Sequence, residues 1–271
     1  MAVNRIVRRI EKHSLMIDEI INFVSQQSNS VNTKNINRIF IFSSLAHLRL
    51  DYSSQLNLLK LLTRTLEGRA LFLPAFSYNS RRNLPFNPLE LPSPQNGSLS
   101  RVAFKENLHD TFRTSDEDFS YIVINSLNLT QQQSMRAKKW REQSFGLQSH
   151  HSDLFEDNAQ ILCIGNGMQD GFTPALHCEA IKNVPYRVFL DFPSQIKTGK
   201  IKKYFARNEK QFDNFGKANR EKIITKLKQR VDTNFCESKP RANLHLMSFT
   251  IHEYMNVLLH ELEHDKYYFL H

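Results

Sequence analysis

Ile36-Asn37-Arg38-Ile39-Phe40-Ile41-Phe42-Ser43-Ser44-Leu45 is the stretch that decides the fold. Its first seven residues are strand-length and dominated by β-branched and aromatic side chains, and Ser43-Ser44-Leu45 after them reads as a loop. Ser53 or Ser54 then caps a helix carrying Leu56, Leu59, Leu62 and Leu66, with Gly68 as its stop. A second apolar run, Arg69 to Phe76, follows directly. Strand, helix and strand in that order predict a βαβ unit, and with it an α/β fold.

Working outward, Ile6, Ile10, Ile17, Ile20, Ile21 and Val24 put an apolar face on an N-terminal helix that ends in the polar stretch 26–35. Downstream, the segment from Tyr78 to Ser100 carries Pro85, Pro88, Pro92 and Pro94 among asparagines and serines, and reads as a long irregular loop. A short helix near Arg101 to Leu108 and strands at Phe119 to Ile124 and Gln160 to Gly165 continue the alternation. Thr173-Pro174 reads as an N-cap and first helical position for a helix through Ile181. Val184 to Phe192 is strand-like, and the last seventy residues read as mostly helical and strongly basic at first. The expectation is one domain: an N-terminal helix and linker (1–35), an α/β core (36–196) and a helical C-terminal part (197–271). The strands near Ile36, Ala70, Phe119, Gln160 and Val184 should share one sheet.

A chain of 271 residues that is 40% apolar can bury a full core. Its apolar runs are too short to span a bilayer, so membrane insertion is not expected, and residues 1–24 lack the unbroken apolar stretch and cleavage site of a secretory signal. Cys163, Cys178 and Cys236 are odd in number and far apart, which speaks against a disulfide framework and for a cytoplasmic location. The net charge of +9 would suit nucleic acid, an anionic membrane or a phosphate-rich small ligand, and by itself does not choose among them. Between Lys197 and Arg230 the basic residues have only Tyr204, Phe205, Phe212 and Phe215 scattered among them, without the regular aromatic interleaving of single-strand binders. Nucleic acid is not an expected partner. His260-Glu261-Leu262-Glu263-His264 is a literal His-Glu-x-x-His, which on a helix puts both histidines on one face. Only seven residues follow, so a downstream third ligand would have to be His271, and no metal is expected.

Several segments, taken in order, resemble the aminoglycoside 3-N-acetyltransferase family, and more closely its members among polysaccharide-building enzymes. Phe42-Ser43-Ser44-Leu45 is similar to the family's His-Ser-Ser-Leu turn, and Leu73-Pro74-Ala75-Phe76-Ser77-Tyr78 to its Met-Pro-Thr-Phe-Ser-Tyr segment. Arg113-Thr114-Ser115-Asp116-Glu117-Asp118-Phe119-Ser120 resembles an Arg-Thr-x-Asp-Pro-x-Phe-Ser motif. Ile164-Gly165-Asn166-Gly167, the helix from Thr173 to Glu179 and Val184-Pro185-Tyr186-Arg187 follow in the family's order, and Asp265-Lys266-Tyr267-Tyr268-Phe269-Leu270 is similar to its closing segment. The joint order, rather than any one match, carries the resemblance.

The resemblance implies a mixed-sheet α/β sandwich and an acetyl-CoA-dependent N-acetyltransferase, or one using another acyl-CoA. It also implies direct transfer to an amino-sugar-like small-molecule acceptor, with a homo-oligomer compatible. It implies a histidine general base, which suits an ammonium nucleophile that must lose a proton before it attacks a thioester. His177 is the candidate base, Glu179 its orienting carboxylate and Thr173 a donor to the developing oxyanion. Thr173 and Glu179 keep the family's spacing while Leu176 stands where its histidine is expected and His177 follows one position later. Either the preceding loop returns His177 to the base position, or the base is lost. Ser43, Ser44, Leu45, Phe76, Ser77, Tyr78, Arg113 and Ser120 are the implied coenzyme contacts, with Arg81 and Arg82 nearby. Against these roles, Thr173 could merely cap its helix, Ser43-Ser44 could be an ordinary turn, and Arg81-Arg82 a solvated pair.

Overall fold

The structure is a computed structural model that describes residues 2–29, 33, 35–45, 48–82, 84–92, 98–108, 110–165, 172–208, 220–229, 234–241 and 244–269. Helix α1 (Ala2–Ser28) precedes strand β1 (Arg38–Ser44), and β1, helix α2 (Tyr52–Thr65) and strand β2 (Ala70–Pro74) form the expected βαβ unit. β1 and β2 pair in parallel from Arg38↔Ala70 to Phe40↔Phe72. The helix cap is Asp51 rather than a serine: its carboxylate accepts the Ser54 amide at 2.9 Å, the stronger charge-assisted form of the same device. Helices α3 (Asn79–Arg82) and α4 (Ser98–Lys105) punctuate the proline-bearing segment. Strands β3 (Phe112–Arg113) and β4 (Tyr121–Ile124), helices α5 (Gln131–Lys138) and α6 (His150–Phe155), strand β5 (Gln160–Gly165) and helix α7 (Thr173–Ile181) complete the first two-thirds.

The seven-stranded sheet has the order β3-β4-β2-β1-β5-β9-β8, where β8 is Cys236–Arg241 and β9 is Leu244–Thr250. Its centre is parallel, β2-β1-β5, and both flanks are antiparallel. Successive side chains of a strand point to opposite faces, so a strand buried on both sides reads as a continuous apolar run. Here the two faces have different chemistry. Ile39, Ile41, Leu71, Leu73, Ile122, Ile124, Leu162 and Ile164 pack on α1, α2 and α4 through Ile20, Leu58, Leu62 and Val102. Phe40, Phe42, Phe72, Tyr121, Cys163 and Phe249 face the other way, onto α6, α7 and helix α9 (Ile251–His264).

The C-terminal part departs from the expectation of mostly helix. It contributes helix α8 (Arg220–Gln229) and α9, but also strand β7 (Ile201–Arg207) and both β8 and β9. β9 lies beside β5 in the sheet, so the described residues of this part complete the core rather than append to it. The basic composition misleads because β7 alternates: Lys202 is fully buried while its neighbour Lys203 pairs with Glu142 near the surface. Strand β6 (Arg187–Pro193), expected in the main sheet, instead forms a separate antiparallel pair with β7, from Arg187↔Arg207 to Pro193↔Ile201. Its side chains alternate between half-buried and exposed, which a central strand could not tolerate.

No helix of the described residues is long and apolar enough to cross a membrane. On α9 the rings of His260 and His264 lie 4.5 Å apart, and among the described residues no group of three His, Cys, Asp or Glu is arranged to hold a metal; His271 lies outside them.

Candidate active site at the parallel strand ends

Because β1, β2 and β5 run parallel, their C-terminal ends share one edge of the sheet, the place where open α/β sheets collect ligands. Ser43 and Ser44, both half-buried, stand at that edge beside Ile164 and Gly165, and the Pro74 to Tyr78 segment leaves β2 there. Antiparallel β4 brings its first residue, Tyr121, opposite Pro74 at the same edge. Gly165 has φ +74°, and a Cβ on it would run into the Ser44 carbonyl. Only glycine permits this approach. Gly165→Ala should cost about 1–3 kcal/mol in unfolding free energy. A urea titration showing a loss under about 0.5 kcal/mol would mean that the β1–β5 junction is soft enough to give. The rest of the expected glycine loop, Asn166 and Gly167, lies outside the described residues.

The loop after β2 is held by the Arg113 motif. Arg113 donates to the Ala75 carbonyl at 2.6 Å and to the Ser120 hydroxyl at 2.7 Å, and Ser120 in turn donates to Ala75 at 2.9 Å. Burial lowers the Arg113 guanidinium to about 10, leaving it a cation at neutral pH. Ser77 donates through its hydroxyl to the Glu117 carbonyl and through its amide to Asp118. Of the implied coenzyme contacts, then, Arg113 and Ser120 are spent on shaping this loop. Leu45 and Phe76 are buried in the two cores, leaving Ser43, Ser44, Ser77 and Tyr78 at the edge. Arg82 is exposed, and the side chain of Arg81 lies outside the described residues. Phe42, where the family pattern has histidine, packs edge-on against Phe172 at 4.7 Å.

That contact docks the start of α7 beside the β1 turn. Phe172 is the N-cap and makes no side-chain cap bond, so Thr173 is the first helical residue and does not cap. Its hydroxyl bonds the Tyr121 phenol instead. His177 is buried, its ring edge-on to Phe155, and its Nδ1 accepts the Gly146 amide at 3.3 Å. An accepting Nδ1 places the proton of the neutral ring on Nε2. Desolvation pushes its pKa down to about 4, so the ring is neutral at pH 7. Glu179 lies two residues on, about 200° around the helix, and does not meet His177. Its carboxylate accepts the Tyr186 hydroxyl at 3.1 Å and Arg187 Nε at 2.5 Å, tying α7 to the start of β6.

A buried polar network behind Thr173 was not legible in the sequence. Tyr121 Oη lies 3.3 Å from His151 Nε2, and His151 Nδ1 lies 2.7 Å from the Ser144 carbonyl oxygen. Ser144 donates to Asp116 at 3.0 Å, and Asp116 also accepts the Asp118 and Phe119 amides and Lys202 Nζ at 2.8 Å. Burial alone would raise the Asp116 pKa, but Lys202 and His150 outweigh it and hold the carboxylate well below its ordinary range. Thr114 Oγ1 accepts the Tyr121 amide and lies 3.3 Å from His150 Nε2. The sequence hinted at this network only through the Arg113–Ser120 motif, which holds Thr114 and Asp116, and through the adjacent pair His150-His151 after Ser149, which caps α6.

The fold is an α/β sandwich like that of the aminoglycoside acetyltransferases. Among solved structures, aminoglycoside acetyltransferase AAC(3)-Xa superposes with a TM-score of 0.67 at 12% identity, over 95% of this chain and 96% of that one. A mutant of AAC(3)-IVa in complex with gentamicin gives 0.65 at 18%, over 91% and 90%. AAC-IIIb in binary complex with CoASH gives 0.64 at 12%, over 90% and 96%. At such identities the likeness concerns the fold. No family model matches the chain, and no curated protein does.

Proposed function

We propose that the protein is an acyl-CoA-dependent N-acyltransferase that acetylates an amino group of an amino sugar, nucleotide sugar or aminoglycoside-like acceptor in the cytoplasm. The observation that carries this reading is the overlay of nine-tenths of the chain on acetyltransferase folds, one of them solved with CoASH and another with gentamicin. In this reading Ser43, Ser44, Ser77 and Tyr78 line the donor's path; the Ser43 and Ser44 hydroxyls at the strand end suit pantetheine amides and phosphates, while Ser77, whose hydroxyl and amide are bonded to Glu117 and Asp118, shapes the wall. Thr173 stands nearest the reacting carbonyl, and a histidine supplies the base.

Acetyl-CoA at about a hundredfold excess over its Kd should stabilise the native state by about 2.7 kcal/mol and raise Tm by several degrees. A panel of amino sugars, nucleotide amino sugars, gentamicin and apramycin should contain at least one compound that releases free thiol from acetyl-CoA. No shift with acetyl-CoA or longer acyl-CoA would end the proposal. A shift with no thiol release across the panel would favour a non-catalytic protein that keeps the ligand cleft. Leu176 at the family's histidine position and the N–H presented by His177 Nε2 favour that second reading.

A further inference from the structure

We propose that Tyr121 and His151 form a directional hydrogen-bond relay behind Thr173, making His151 the remote base of the reaction; this rests on the acyltransferase reading above. The direction follows from donor and acceptor capacity alone. The Ser144 carbonyl can only accept, so His151 Nδ1 carries the proton and Nε2 presents its lone pair to Tyr121. Tyr121 therefore donates to His151, and its oxygen accepts the Thr173 hydroxyl. With that hydrogen turned inward, Thr173 Oγ1 can only accept from any further partner; its side chain is fully buried at the start of α7, so a substrate must reach it within the fold. His177 in the same region has the opposite polarity, since its Nδ1 is taken by the Gly146 amide and its Nε2 carries hydrogen.

In acyl transfer the acceptor nitrogen attacks the thioester carbon, the C–N bond forms, the C–S bond breaks and the thiolate leaves. The proton lost by the nitrogen passes to Thr173 Oγ1, which gives its own to Tyr121, which gives its own to His151 Nε2. Every hydroxyl then points back toward the reacting centre, so Thr173 becomes a donor to the oxyanion at the moment one exists. Return of the proton along the same path neutralises the thiolate and resets the relay. Burial raises the phenol of Tyr121 well above its ordinary value, so the hops are concerted and no tyrosinate accumulates. Several charges face His151. Desolvation and the neighbours His150 and His177 oppose its protonation, whereas Asp116 and the Ser144 carbonyl favour it. The imidazolium is therefore transient, as a relay requires.

Protein labelled with 15N-histidine tests this without turnover. The neutral His151 ring, assigned by the signals lost in His151→Gln, should show a protonated Nδ1 and a bare Nε2, and Tyr121→Phe should shift the Nε2 resonance. A proton on Nε2, or a resonance unmoved by Tyr121→Phe, overturns the relay. With the acceptor returned by the panel, Tyr121→Phe should lower kcat by roughly 100-fold with little change in KM. A wild-type kcat in a variant that melts as the wild type does also overturns it. If acetyl-CoA fails to bind while the tautomer is as stated, the functional reading falls and the relay geometry stands.

Discussion

Replacing Lys202 with methionine lowers the free energy of unfolding by about 3–5 kcal/mol, because it leaves the Asp116 carboxylate buried without its cation. Both side chains are wholly inaccessible and 2.8 Å apart, and no water can stand in for the ammonium without the core opening. A urea titration at pH 7 measures the loss. A deficit below about 1 kcal/mol would mean that the site admits solvent. The pH dependence distinguishes lost charge pairing from lost packing. In the native protein the folded Asp116 pKa lies below its ordinary value of 3.8, so its contribution is present above that value and lost as pH falls below it. In Lys202→Met the desolvation that remains raises the folded pKa instead, so the deficit shrinks as pH falls toward 4. The double variant Lys202→Met/Asp116→Asn should recover most of the loss, since the side-chain amide oxygen it introduces would still accept the Asp118 and Phe119 amides.

Thr173→Val should reduce acyl-transfer turnover by about 100-fold to 1,000-fold while leaving the Kd for acetyl-CoA within a few-fold. Valine keeps the shape of threonine and removes the one hydroxyl that links the helix start to Tyr121. Thr173→Ser should retain most of the rate. His177→Gln is the informative control, because His177 bonds Gly146 and presents an N–H rather than a lone pair. Its kcat should stay within about tenfold of the wild type. A collapse of turnover in His177→Gln beside an active Thr173→Val would restore His177 as the base.

Helices α1, α2 and α4 and strands β1, β2, β4 and β5 were legible because each rests on local patterning, whereas α3, β3, α5 and α6, all short, were not read. Ile39 and Ile41 alternate with Phe40 and Phe42, Leu71 and Leu73 flank Phe72, and α2 carries its leucines at helical spacing, so one stretch of ten residues sets strand, turn and the start of the βαβ unit. The edge of the sheet that gathers Ser43, Ser44 and Pro74 follows from the same unit, because a parallel pair must place both C-terminal ends together.

What sequence determined by itself, then, was the α/β class, the central parallel pair and the turn at its end. These depend on period and turn chemistry within a few residues. Tertiary structure alone decided that Lys202 turns inward to Asp116, that β9 fills the sheet beside β5, and that Glu179 clasps Tyr186 and Arg187 instead of His177. It also decided that Tyr121, His151 and Thr173, from a strand and two helices, meet in one hydrogen-bonded line. A buried polar group takes whichever partner the fold brings within about 3 Å, and no spacing along the chain encodes that choice.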